Sequence, residues 1–121
     1  MNRIISLAGL AALVITPLAA LAHHGWNWTT GINHEITGMI REVELGNPHG
    51  ELHVDVDGTE WVVEVGQPWR NERAGLPPEA FAIGRTMTFQ GEIPADPDKK
   101  LMKVERIIVD GKLHALYPER D

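Results

Sequence analysis

The chain has 121 residues, 11 Lys and Arg against 17 Asp and Glu, and no cysteine. Its length allows one ordinary domain, and the missing cysteines exclude both disulfide stapling and a lipid attached through sulfur. With residues 1–22 set aside, 10 basic face 17 acidic residues, a formal charge of −7; such a surface repels a phosphate backbone, so nucleic acid is excluded as a partner.

The first 22 residues have the three parts of an export signal. Arg3 supplies the basic start, Ile4 to Ile15 the apolar run, and Ala20-Leu21-Ala22 the small-residue cleavage site. A spanning helix needs about 20 apolar residues, and Thr16 and Pro17 interrupt this run after about a dozen, so cleavage is expected and no membrane contact after it. The expected division is a signal peptide over 1–22, an extended arm over 23–33 and a β-barrel over 34–121, located in the periplasm.

In the mature chain, His23-His24-Gly25-Trp26-Asn27-Trp28 and the residues up to Gly31 are polar and aromatic without helical period, which reads as the arm. From His34 to Leu45 apolar residues fall at near-alternate positions, predicting a long strand bulged at Gly38, and the turn residues of 46–50 end it. Leu52, Val54 and Val56 alternate with polar neighbours, Trp61 to Val65 resumes the extended pattern, and Asp57-Gly58 between them is a hairpin signal.

Pro68 near the start and Gly75 after the end mark a short helix over Trp69 to Ala74, with one further turn around Pro77 to Ala82. Two strands follow, Thr86 to Ile93 and Leu101 to Val109, and Asp110-Gly111 turns the chain into a last strand around Leu113 to Tyr117. The fold class is therefore mostly β: a small OB-like Greek-key barrel of five to six strands with one short helix between strands 3 and 4.

Several of these residues occur together in a recognisable set. Ala22-His23-His24-Gly25, Gly38, Asn47-Pro48-His49, Trp61-Val62-Val63-Glu64 and Glu72-Arg73-Ala74-Gly75-Leu76 resemble a family of small exported bacterial proteins known only as a domain of unknown function (6152 type). The resemblance spans nearly the whole mature chain. It departs at Gly25, where members often carry Ser, and at Gly50, where a bulky residue often follows the Asn-Pro-His turn; it implies no established activity.

The sharpest chemical feature is created by processing. Cleavage after Ala22 would give His23 a free amine next to its own imidazole, two nitrogens able to chelate one ion. A third nitrogen from His24 or a folded-back His49 would complete a T-shaped site that suits Cu(II), with Ni(II) and Zn(II) behind it. The arrangement is similar to the histidine brace of copper proteins that begin with histidine. An amine of pKa near 8 and imidazoles near 6.5 must lose protons to bind, so affinity should weaken below about pH 6.

Set against this are plainer expectations. Two terminal histidines can be idle, and His49 in its turn can simply hydrogen-bond a carbonyl. His34, His53 and His114 are expected at solvated positions, and Trp61 in the core. Trp26 and Trp28 can project from one face of the arm, packing on the barrel and pinning the histidines beside it.

Two function classes remain. One is a periplasmic metal-binding protein, for copper, using His23, His24 and His49. The other is a binding or scaffold module whose Trp28, Trp69, Arg70 and Arg73 hold a small ligand, a saccharide or a periplasmic protein partner. No Cys nucleophile, Gly-x-Ser-x-Gly elbow, phosphate-binding glycine loop or His-Glu-x-x-His helix is present, so an enzyme is the least supported class. A copper-dependent oxidative enzyme is conceivable on the brace alone, but no substrate cleft is evident.

Overall fold

The computed structural model describes residues 26, 28–31 and 33–120; the leader, His23 and His24 lie outside them. Among the described residues there are six strands: β1 Asn33–Glu44, β2 Gly50–Val56, β3 Thr59–Val65, β4 Thr86–Glu92, β5 Leu101–Val109 and β6 Lys112–Ala115. Between β3 and β4 lie one short helix, α1 Pro68–Arg73, and a 3-10 turn, Pro78–Ala80.

The strands run in the order β3-β2-β1-β4-β5-β6, and a further parallel pairing of β3 with β5 closes the first five into a barrel. This closure joins Val62, Val63 and Glu64 to Leu101, Met102 and Lys103. The last strand stays outside the ring, paired with the second half of β5 from Arg106 to Val109. The result is the OB-like barrel expected from the element order, with β6 added.

Local chemistry sets the turns. Asp57 and Gly58 have φ of 51° and 87°, and Asp110 and Gly111 have 53° and 73°, the left-handed pairs that make two-residue hairpin turns match strand twist. The Asp55 carboxylate also accepts the Gly58 N–H at 2.8 Å. At the end of α1, Gly75 takes φ 95°; its N–H donates to the Glu72 carbonyl at 2.9 Å, and the Leu76 N–H donates to Asn71 at 2.8 Å. That paired cap delivers Leu76 into the core.

Alternation in the strands places Ile40, Leu52, Val54, Val63, Phe89, Met102 and Ile107 inside with no solvent exposure. The β1 bulge is at Arg41 rather than Gly38: pairing passes from Ile40 with Val54 directly to Glu42 with His53. Gly38 is required for a different reason. A Cβ there would stand 2.5 Å from the Asp55 carbonyl oxygen and 2.6 Å from a Val54 methyl, so the missing side chain lets β1 lie close against β2.

Asn71 is the one buried polar side chain of α1. Its Oδ1 accepts the Gly66 N–H and its Nδ2 donates to the Gly66 carbonyl, both at 2.9 Å, so it acts as a strand partner for the residue just beyond β3. Asn71→Ala would leave the buried Gly66 N–H without an acceptor. The expected cost is about 2–3 kcal/mol of unfolding free energy, read in urea melts as a lower midpoint with an unchanged slope.

Candidate functional site

One flank of the barrel is covered by the first and last of the described residues. On the N-terminal side, the Thr29 N–H donates to the Trp26 carbonyl at 3.1 Å and the Thr30 N–H to Ile93 at 3.1 Å, so the arm folds into a turn here rather than running extended. Its Thr29 hydroxyl donates to Glu92 at 2.5 Å. Trp26 becomes buried, and Trp28 is half-buried.

The Trp26 ring is enclosed by residues far away in sequence. Tyr117 meets it edge-on with centroids 5.1 Å apart, the Arg120 guanidinium lies 3.9 Å from its centroid, and the Lys103 ammonium lies 5.3 Å away. The Arg70 guanidinium stacks on Tyr117 at 4.1 Å and on Trp69 at 4.7 Å. Rings and cations thus alternate along this flank, an arrangement that favours each cation over a π face while its edge remains free for hydrogen bonds.

Beneath the rings, Arg120 donates to Glu92 and, at 3.5 Å, to Glu105. Glu105 is completely buried; it is the extra residue where β5 bulges, between Val104 opposite Gly91 and Arg106 opposite Gln90. Burial pushes its carboxyl pKa up, reinforced by a hydrogen bond to Glu92 and repulsion from that carboxylate. Burial also opposes ionisation of Glu92, but hydrogen bonds from Thr29, Glu105 and Arg120 outweigh it and hold Glu92 low. The two carboxyls are thus pushed in opposite directions, Glu105 toward its neutral form and Glu92 toward the charged form that Arg120 faces.

A line of polar groups leads from Trp26 to His49. Lys103, buried on β5, has its ammonium 3.5 Å from Glu64 Oε1, and the same oxygen lies 3.6 Å from His49 Nε2. The other ring nitrogen, Nδ1, donates to the Gly50 carbonyl at 3.1 Å, the plain hydrogen bond expected of a histidine in this turn. A hollow of about 300 Å3 lined by Glu44, Leu45, Gly46, Asn47, His49 and Glu51 opens beside the ring.

The remaining expected positions fall as follows. His34 is exposed. His114 is buried rather than solvated: its Nδ1 donates to the Ala74 carbonyl at 2.7 Å, because β6 packs against the end of α1. His53 lies on the outer face but among carboxylates, with Nδ1 3.1 Å from Glu60 and 3.9 Å from Glu42, and Nε2 3.7 Å from Glu51. The hydrogen bond with Glu60 raises its pKa, partial burial opposes, and the charges of Glu42, Glu60 and Glu51 add to the rise. Trp61 is half-buried against the core.

Trp69 is half exposed and Arg73 lies 5.9 Å from its ring. Arg70 is taken up between two rings and donates to the Leu116 carbonyl at 3.0 Å, which removes it from a ligand site. Among the described residues no three His, Asp or Glu side chains converge to hold a metal ion, and no helix is long and apolar enough to cross a membrane.

Sequence reasoning assigned no role to Glu64, Lys103, Glu92, Glu105 or Arg120. Glu64 follows three apolar residues in a strand, and Lys103 and Glu105 flank Val104; alternation gives their side of the strand and carries no information about the arm and tail laid over them.

The described residues define a small OB-like barrel whose first and last described segments meet over one charged flank. The chain belongs to the family of unknown function DUF6152, whose model matches residues 11–100. No curated protein matches it. Among solved structures it is similar to TiaS in complex with tRNA, AMPCPP and agmatine, at 13% identity over 64% of this chain and 18% of that one, TM-score 0.48. It is also similar to a ZRD-deleted mutant of TiaS with agmatine, at 11% identity over 69% of this chain and 26% of that one, TM-score 0.49.

Proposed function

We propose that this protein binds one copper(II) ion in the periplasm, through the amine and imidazole that cleavage after Ala22 would expose at His23, with His49 as third ligand and His24 as its rival for that place. The observation that carries this reading is the burial of Trp26 against Lys103, from which Glu64 and His49 follow at 3.5 and 3.6 Å. His23 precedes Trp26 by three residues, a span of up to about 10 Å. On this reading the three residues before Trp26 would carry the terminal nitrogen pair toward His49.

The competing reading, a saccharide or small-anion site on α1, is weakened by the engagement of Arg70 between Trp69 and Tyr117. It retains Trp69 and Arg73, with Trp28 half-buried on the arm.

Calorimetric titration of Cu(II) into protein whose first residue is confirmed as His23 by intact mass tests the metal reading. Tight one-to-one binding is expected, and placing Met before His23 should weaken it by about a hundredfold, roughly 2.7 kcal/mol. Equal binding by the Met-capped form would overturn it.

A further inference from the structure

We propose that the hollow between the end of α1 and the β5–β6 hairpin binds a small hydroxy carboxylate, its charge held by Arg85 and Lys112 and its hydroxyl by His114. The site shares no residue with the copper reading and is tested separately from it. Stretches far apart in sequence build the hollow: the Gly75-Leu76 cap of α1, Ala80 on the 3-10 turn, Arg85 just before β4, and four residues of the hairpin. Its volume is about 260 Å3. Sites for drug-sized molecules run from roughly 300 to 1,000 Å3, so this one suits an acid of a few carbons rather than a nucleotide or an oligosaccharide.

Charge selects the anion. Arg85 and Lys112 line the hollow with a single carboxylate, Asp110, between them in sequence, which leaves a local positive excess on a chain that is acidic as a whole. Arg85 donates from Nη1 to the Ala80 carbonyl at 2.9 Å and from Nη2 to Asp110 at 2.6 Å. The first bond fixes the guanidinium, and its remaining N–H groups have no partner among the described residues. Asp110 is 79% exposed, and ion pairs so open to water hold weakly. An incoming carboxylate can therefore compete for the guanidinium and take the forked pairing it favours. Lys112, exposed at the start of β6, adds a second cation.

His114 lines the same hollow although it is only 7% exposed. Its ring is held by the Nδ1 bond to the Ala74 carbonyl, and Gly75 makes room for it, since a Cβ there would stand 3.0 Å from Nδ1. With the proton on Nδ1, Nε2 of the neutral ring is an acceptor, and it has no hydrogen-bond partner among the described residues. One acceptor beside two cations matches a ligand that donates one hydrogen bond and carries one negative charge. Leu76 and Val109, both buried, and Ala80 supply an apolar wall on which a short hydrocarbon body loses water. That wall favours a hydroxy acid over inorganic phosphate, whose hydroxyl could answer the same nitrogen.

The experiment is an NMR titration of isotopically labelled protein, in buffer free of added metal and at fixed ionic strength. The probes are 2-hydroxybutanoate, 3-hydroxybutanoate, butanoate, acetate and inorganic phosphate. At least one hydroxy acid is expected to saturate with a midpoint near about 1 mM, moving the Gly75 and Lys112 amides and His114 Nε2. Butanoate, without the hydroxyl, should bind several-fold more weakly, and acetate, two methylenes shorter, about tenfold more weakly again. Arg85→Gln is expected to weaken the hydroxy acid by about tenfold. Lys112→Gln, at an exposed position that leaves the fold intact, should weaken it several-fold and carries the test should Arg85→Gln not fold.

If neither hydroxy acid saturates below about 50 mM, or if saturable binding is unchanged in Lys112→Gln, the proposal is overturned. Phosphate binding as tightly as the better hydroxy acid overturns it as well, because the apolar wall would then select nothing. Butanoate equal to both hydroxy acids would remove His114 from the site and overturn the assignment of a hydroxylated ligand.

Discussion

Gly91→Ala is expected to be the most damaging single methyl addition in the barrel. A Cβ at this position would stand 2.0 Å from the Lys103 carbonyl oxygen, with the Lys103 carbonyl carbon and the Val104 Cα both at 2.8 Å. All three are backbone atoms, so no rotamer change relieves the clash, and the β4–β5 ladder must separate at the bulge where Gly91 faces Val104. Overpacking a well-filled core costs about 1–3 kcal/mol, occasionally more; with rigid backbone as the obstacle, about 3 kcal/mol or more is expected in chemical denaturation.

The same displacement would move Glu92 and Lys103, which pair one residue further along, so near-ultraviolet circular dichroism from Trp26 should change too. Gly46→Ala is the control. Its Cβ would meet nothing within 4 Å, and its effect should stay within about 0.5 kcal/mol.

Arg120→Ala, although near the end of the chain, is expected to lower the unfolding free energy by about 3 kcal/mol at neutral pH. Its guanidinium neutralises Glu92, whose side chain is 5% exposed, and removing one partner of a buried pair leaves an uncompensated charge costing about 3–5 kcal/mol. The lower end applies because Arg120 itself keeps 21% exposure. Loss of the cation stacked on Trp26 adds to the effect, and a red shift of tryptophan emission should accompany it as the arm loosens.

The pH dependence of that loss has a definite sign. Glu92 is held below the ordinary carboxylate range, so its stabilisation is complete above the unfolded glutamate pKa of about 4.3 and disappears as pH falls through the folded value. The gap between wild type and Arg120→Ala should therefore be widest near neutrality and narrow on acidification. A gap independent of pH would show that stacking on Trp26, not the ion pair, is what Arg120 contributes.

The barrel itself was legible because its determinants are local. Period-two alternation set Leu52 and Val54 on one side of their strand, Asp57-Gly58 and Asp110-Gly111 marked the hairpins, and Pro68 and Gly75 bracketed α1; each rests on the conformational freedom of one residue or its immediate neighbours. Gly38 was noticed in β1 but given a bulge it does not make, since close approach to the Asp55 carbonyl depends on a residue seventeen positions on. His49 hydrogen-bonds the carbonyl of the very next residue, again a local event.

His114 was expected in solvent and is buried, because nothing adjacent to it in the chain encodes the Ala74 carbonyl forty residues away. The same holds for the flank that carries the proposed site. Alternation states which side of a strand Glu64, Lys103 and Glu105 occupy, but their burial comes from Trp26 and Arg120 meeting across the barrel, with the parallel junction of β3 and β5 setting Glu64 against Lys103. The sequence by itself determined the strands, turns and helix of this protein, since those follow from short-range backbone preference and side-chain period. Only the tertiary structure decided which charges are stripped of water and brought together, because that depends on contacts between segments far apart in the chain that no local pattern records.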